Sequence, residues 1–136
     1  MSDVLIGAAF ESRLKAWAAS KTPPIPVAYE NVSFKPPALA RYIAAYLLPA
    51  NTGSDMLDGG DRIYNGIFQA SIVLPANVGA AAARALVPEL DAIFPISFEY
   101  NGLTINILSP MSAAPGITDT DGYTLPVSCR YRVDAV

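Results

Sequence analysis

Histidine is missing altogether from the 136-residue chain. With it go the usual general base near neutral pH, the commonest metal ligand and any serine or cysteine triad that depends on imidazole. Cysteine occurs once, at Cys129, so no intrachain disulfide can form. Charge is sparse, with 15% of residues being Asp, Glu, Lys or Arg against roughly 25% in an average soluble domain. The basic residues are scattered and the net charge is −3, so no basic patch suited to a phosphate backbone is visible. No apolar run approaches the roughly 20 residues of a membrane span, and Asp3 stands where a secretory signal would be basic. These features predict a cytoplasmic protein with no membrane partner.

What the chain does have is apolar content, 52% of residues, punctuated by 12 prolines and 9 glycines. That composition excludes disorder throughout and predicts short elements joined by frequent turns in a single domain, residues 1–136. Residues 2–20 read as a helix, with Leu5, Ile6, Ala9, Phe10, Leu14 and Trp17 at helical spacing and Glu11, Arg13 and Lys15 on the other side. Thr22-Pro23-Pro24 must end it, and residues 25–34 are then extended, with Pro26 favouring an edge or a loop. Residues 41–48 carry apolar or aromatic side chains on both alternating sets, Tyr42, Ala44, Tyr46 and Leu48 against Ile43, Ala45 and Leu47. A helix is open to this run, but two tyrosines and bounding prolines favour a strand, covered on both faces.

Residues 50–61 form a long polar loop, of a length that is often functional or mobile. Its glycines and aspartates bury too little apolar surface to offset ordering, so it is expected to be mobile in the free subunit. Residues 63–74 read as a strand with Phe68, Ala70, Ile72 and Leu74 on one face and Gln69 and Ser71 on the other; Asn65-Gly66 suggests a bulge or bend. Asn77 is expected to cap an alanine-rich helix that runs to about Phe94 and is kinked or divided at Pro88. Residues 96–100 and 103–108 flank Asn101-Gly102, a hairpin signal. Residues 110–122 read as a second polar loop, and residues 123–133 as a last strand that Pro126 places toward a sheet edge, with Cys129 and Tyr131 on its apolar phase. The order predicts an α+β fold with two helices packed on one face of a largely antiparallel sheet.

Among candidate sites, Asp55, Asp58, Gly59, Gly60 and Asp61 share the first loop and Asp119 and Asp121 the second. The first set lacks the ordered alternation and terminal glutamate of a calcium loop, so a solvated turn is the simpler reading than a metal site. Gly59-Gly60 lacks the lysine and hydroxyl of a phosphate loop. Cys129 has no histidine to activate it and reads as a buried thiol. Trp17, Tyr42 and Tyr46 offer a stacking surface but more simply fill a core. Arg130 and Arg132, together on the polar phase of the last strand, are either an exposed face or a contact to an acidic neighbouring subunit. No catalytic, cofactor or metal residue is expected.

An ordered set of segments goes further: Tyr29-Glu30-Asn31-Val32-Ser33-Phe34-Lys35-Pro36-Pro37, then Tyr42 to Pro49, Gly66-Ile67-Phe68-Gln69-Ala70 with Pro75, Gly79 before the alanine-rich helix ending at Phe94-Pro95, and Leu125-Pro126-Val127-Ser128. In order and spacing it resembles the tail terminator-like family of long-tailed bacteriophages, although Pro88 departs from the uninterrupted helix that the resemblance implies. The resemblance implies a structural subunit of the virion tail, present in the host cytoplasm before assembly. Its copies would form a hexameric ring that caps the tail tube, stops tube polymerisation and presents a surface for joining the head. The partners implied are other copies of the chain, the tail tube protein and a head-tail connector or neck protein, with DNA passing through the lumen unbound. The first loop is the preferred tube or lumen contact. Another neck or tail-completion component, or a small metal- or ligand-binding module using Asp55, Asp58 and Asp61, is the alternative.

Overall fold

The computed structural model describes residues 2–36, 40–50, 52–54, 57, 59, 62–120 and 122–135. Its elements in chain order are helix α1 (Ser2–Ser20), strands β1 (Val27–Ala28), β2 (Tyr42–Pro49) and β3 (Arg62–Pro75), helix α2 (Ala81–Ile93), and strands β4 (Ser97–Tyr100), β5 (Leu103–Ile107), β6 (Ser112–Ala113), β7 (Ile117–Asp119) and β8 (Gly122–Ala135). One sheet contains all the strands in the order β1-β2-β3-β8-β5-β4, with β6 and β7 also paired to β8. The β1–β2 pairing is parallel, and every other pairing among the described residues is antiparallel. Both helices pack on the same side of this sheet, which is the α+β arrangement expected from the order of elements.

Helix α1 buries Ile6, Ala9, Phe10, Leu14 and Ala18 against the sheet, and α2 buries Ala83, Leu86 and Leu90. The period of 2 along the strands brings Phe68, Ala70, Ile72 and Leu74 of β3 together with Val127, Cys129, Tyr131 and Val133 of β8 beneath them. Phe10 is the hub. It stacks on Phe68 at 4.5 Å between centroids and 13° between planes, and meets Phe94 at 5.4 Å, Phe98 at 5.7 Å and Tyr131 at 5.5 Å. Arg13 ties the layers at their margin, donating to the Ile93 carbonyl (2.9 Å) while its guanidinium lies 4.4 Å from the Phe98 ring centre.

Several sequence expectations change. No bulge interrupts β3, whose register runs unbroken through Asn65 and Gly66 with β8 and as far as Gly66 with β2, and residues 25–34 hold only the two-residue β1 before a turn in which Asn31 takes φ 54°. The last strand is central and not an edge: β8 pairs β3 along one side and β5, β6 and β7 in succession along the other. Pro126 is tolerated there because its carbonyl, and hence its missing N–H, faces the connection between β6 and β7, where Ala114 N–H donates to the Pro126 carbonyl at 2.8 Å. Residues 110–122, read as a loop, contain β6 and β7, strands too short to give a periodic signal. Asn77 adopts φ 67° in the turn before α2 and caps nothing; the helix starts after Ala80 with no side-chain cap. Pro88 neither ends nor divides α2, which runs continuously through it. The Asn101-Gly102 hairpin forms as expected, with φ 49° and 80° at the two turn residues.

Candidate interaction surface

On the side of the sheet away from the helices, Phe34 packs on Tyr42 at 5.2 Å between ring centres and Ser71 is buried, while other outward side chains stand exposed. On β2 the inward residues Ile43 and Ala45 are buried, while Tyr46 and Leu48 on the outward set are 41% and 47% exposed. Among the described residues, the apolar doubling seen in the sequence of β2 therefore finds full cover on the helix side only. Cross-strand register turns the outward positions into rows. Tyr42, Val73, Thr124 and Ile117 form the first; Ala44, Ser71 and Pro126 the second; Tyr46, Gln69, Ser128 and Ser112 the third; and Leu48, Ile67 and Arg130 the fourth, with Leu108 beside Arg130 through its 2.8 Å bond to the Arg130 carbonyl. A shallow trough of about 490 Å³ runs across the first three rows. Ile67 (38%), Leu108 (51%) and Ile117 (57%) stand out from the surface, and Arg130 is the one charged residue in the four rows.

The arginines picked out by sequence lie at the end of this face, around a 320 Å³ hollow that also includes Ala50, Ile63, Asn65 and Ile67. Arg132 Nε donates to Asp134 Oδ1 at 2.9 Å, an ion pair within β8. The exposed Arg130 guanidinium carries no such pairing among the described residues, although its backbone N–H donates to Ser109 Oγ at 3.0 Å. The beginning of the first loop runs alongside β3, with Gly53 and Ile63 exchanging two backbone hydrogen bonds of 2.9 and 2.8 Å. Gly59 sits at φ 67° and its carbonyl accepts from Arg62. Asp55, Asp58, Gly60, Asp61 and Asp121 lie outside the described residues. The arginines and the foot of the loop are thus neighbours, which their distance in sequence conceals.

One open sheet edge carries a side-chain plug. Beyond β1, the Leu47 N–H of β2 is taken by Glu30 Oε1 at 2.6 Å, so a carboxylate continues the ladder where the strand partner stops. Glu30 in turn bears on Glu11, whose carboxyl is raised above the ordinary range by burial first and by the Glu30 charge second. The buried Cys129 thiol is pushed up to about 12, mainly by burial, with the Asp91 charge adding to it. Lys21 Nζ donates to Glu89 Oε1 at 2.5 Å, and this hydrogen bond is the main cause that holds the Glu89 carboxyl below its usual value. Among the described residues no group of three or more Cys, Asp or Glu side chains is placed to hold a metal ion, and no helix is long and apolar enough to cross a membrane.

The phage tail terminator protein family model matches residues 5–131, and the chain belongs to that family, which is one of structural tail proteins. One solved structure superposes with a TM-score of 0.82 at 41% sequence identity, over 98% of this chain and 96% of the other. No curated protein matches.

Proposed function

We propose that this chain closes into a hexameric ring on the end of a completed phage tail tube, where it halts tube polymerisation and offers the surface to which the head is joined. Membership of the family supplies the tail role. The observation that carries the ring is the open sheet face, since a row-ordered apolar surface of this kind on a lone subunit invites aggregation unless another protein surface closes it. Arg130, exposed at the end of that face, is the cation that reaches an acidic neighbour, and Arg132 is held back by Asp134 in its own strand. The loop of residues 50–61 is the contact with the tube, and the lumen passes DNA without binding it. The test is electron microscopy of tail tube protein polymerised with and without the chain. Tubes that end in a ring-shaped cap and stop growing support the proposal, and tubes that lengthen uncapped at every ratio contradict it.

A further inference from the structure

The fourth outward row differs from the other three. Leu48, Ile67 and Leu108 are 47%, 38% and 51% exposed there, and they line up across the strands beside the Arg130 guanidinium. Phe34 packs at the far end of the face, on Tyr42, and leaves this row open. Three exposed aliphatic side chains bounded by a cation fit a partner that offers an aliphatic side chain with a carboxylate next to it, since the apolar contact then keeps water from the ion pair.

Resting on the ring reading above, we propose that the occupant of this row is the first turn of α1 from the next copy of the chain, with Val4 set on Leu48, Ile67 and Leu108 and the Asp3 carboxylate on Arg130. The chain's own acidic side chains point to this turn. Among those described, Glu30 accepts from the Leu47 N–H at 2.6 Å, Glu89 from Lys21 at 2.5 Å, Asp91 from the Met111 N–H at 3.0 Å and Asp134 from Arg132 at 2.9 Å, while Glu11 is half-buried in the helix layer. Asp3 and Glu99 remain, both exposed. Glu99 stands among polar or covered neighbours, with Thr104 across the hairpin and Phe98 and Tyr100 buried and half-buried beside it. Asp3 instead adjoins Val4, which is 79% exposed on a helix whose inner side is already closed around Ile6, Ala9 and Phe10. Position agrees as well. Helix α1 begins over the same end of the strands as the fourth row: a Cβ on Gly7 would lie 3.8 Å from Leu47 Cδ2, and the Asp3 charge bears on Tyr131, the residue after Arg130 in β8. Asp3 is on the helix side of the sheet and Arg130 on the other, so the pair cannot close within one subunit. The contact joins two different surfaces and is heterologous, the kind that repeats until the rotation closes.

The test is charge reversal read by native mass measurement. Asp3→Arg alone and Arg130→Glu alone each set like charges against one another at every contact, and each should raise the concentration needed for assembly by about tenfold or more while the melting transition of the subunit persists. An equimolar mixture of the two variants should assemble near the wild-type concentration, because in alternating copies every contact again sets a cation against a carboxylate. In parallel, the double variant Val4→Cys/Ile67→Cys treated with a short bismaleimide should give a covalent ladder in steps of one subunit, whereas Val4→Cys alone and Ile67→Cys alone give none. The native Cys129 is 1% exposed and stays silent, so only introduced thiols report. If wild-type rings form, then single charge variants that assemble unhindered, a mixture no better than its components, or an absent ladder each overturn this contact and leave the ring standing. A wild-type chain that never assembles removes both the contact and the ring.

Discussion

Tyr131 is the largest fully buried side chain, and its hydroxyl has no hydrogen-bond partner among the described residues. The ring needs the space: it crosses the backbone of Gly66, its register partner, and a Cβ added there would come within 2.8 Å of the hydroxyl and 2.5 Å of the Leu48 carbonyl. A buried unpaired hydroxyl costs about 1–3 kcal/mol, so Tyr131→Phe should leave the fold intact and raise stability by about 1 kcal/mol in chemical denaturation, whereas Gly66→Ala should lower it. The hydroxyl itself is pushed up to about 12 by burial, with Asp3 adding to it, and so does not ionise in the native subunit at neutral pH. Glu11 gives a pH signature. Its carboxyl titrates higher in the folded chain than in the unfolded one, so the folded state binds the extra proton and stability falls as pH rises through the carboxylate range. Glu11→Gln should therefore stabilise the subunit at pH 7, and melting curves of variant and wild type should converge below the unfolded value of 4.5.

Among the elements, those with a long run in one period were legible from sequence, and those specified by pairing were not. The periodicity of α1, β3 and β8 named their buried faces correctly, and the strand choice for β2 followed from its tyrosines and its bounding prolines. Placing β8 at an edge on the strength of Pro126 failed because proline forbids a donor on one side only, and which side is a matter of topology. β6 and β7, two and three residues long, exist only because β8 supplies their partner. The candidate surface was half legible. The apolar residues on both phases of β2 announced two covers, but only the fold shows which phase the helices cover. The first-loop aspartates fall outside the described residues and carry no comparison. Pro88 makes a further prediction at this scale. Lacking an N–H, it cannot close the helical bond to the Arg84 carbonyl, so Pro88→Ala should raise the unfolding midpoint of α2 and the subunit, by up to about 3 kcal/mol.

At the scale of the whole molecule, stability and assembly draw on different surfaces. The core is complete within one subunit, centred on Phe10, and Phe10→Ala should cost about 3–5 kcal/mol and abolish assembly only through unfolding. The open face contributes nothing to that core, so charge introduced there should separate the two properties. Arg130→Glu alone should weaken assembly nearly as much as reversing Arg130 and Arg132 together, since Arg132 is already paired with Asp134, and both variants should keep the wild-type melting curve. The central claim is that a self-sufficient subunit closes through its open face into a ring. Sedimentation velocity of the wild-type chain across a wide concentration range, with and without tail tubes, tests it most directly. The account predicts monomer at low concentration giving way to a single species of six subunit masses, favoured by the tubes, and a chain that remains monomeric at the highest concentration and on tubes alike would contradict it.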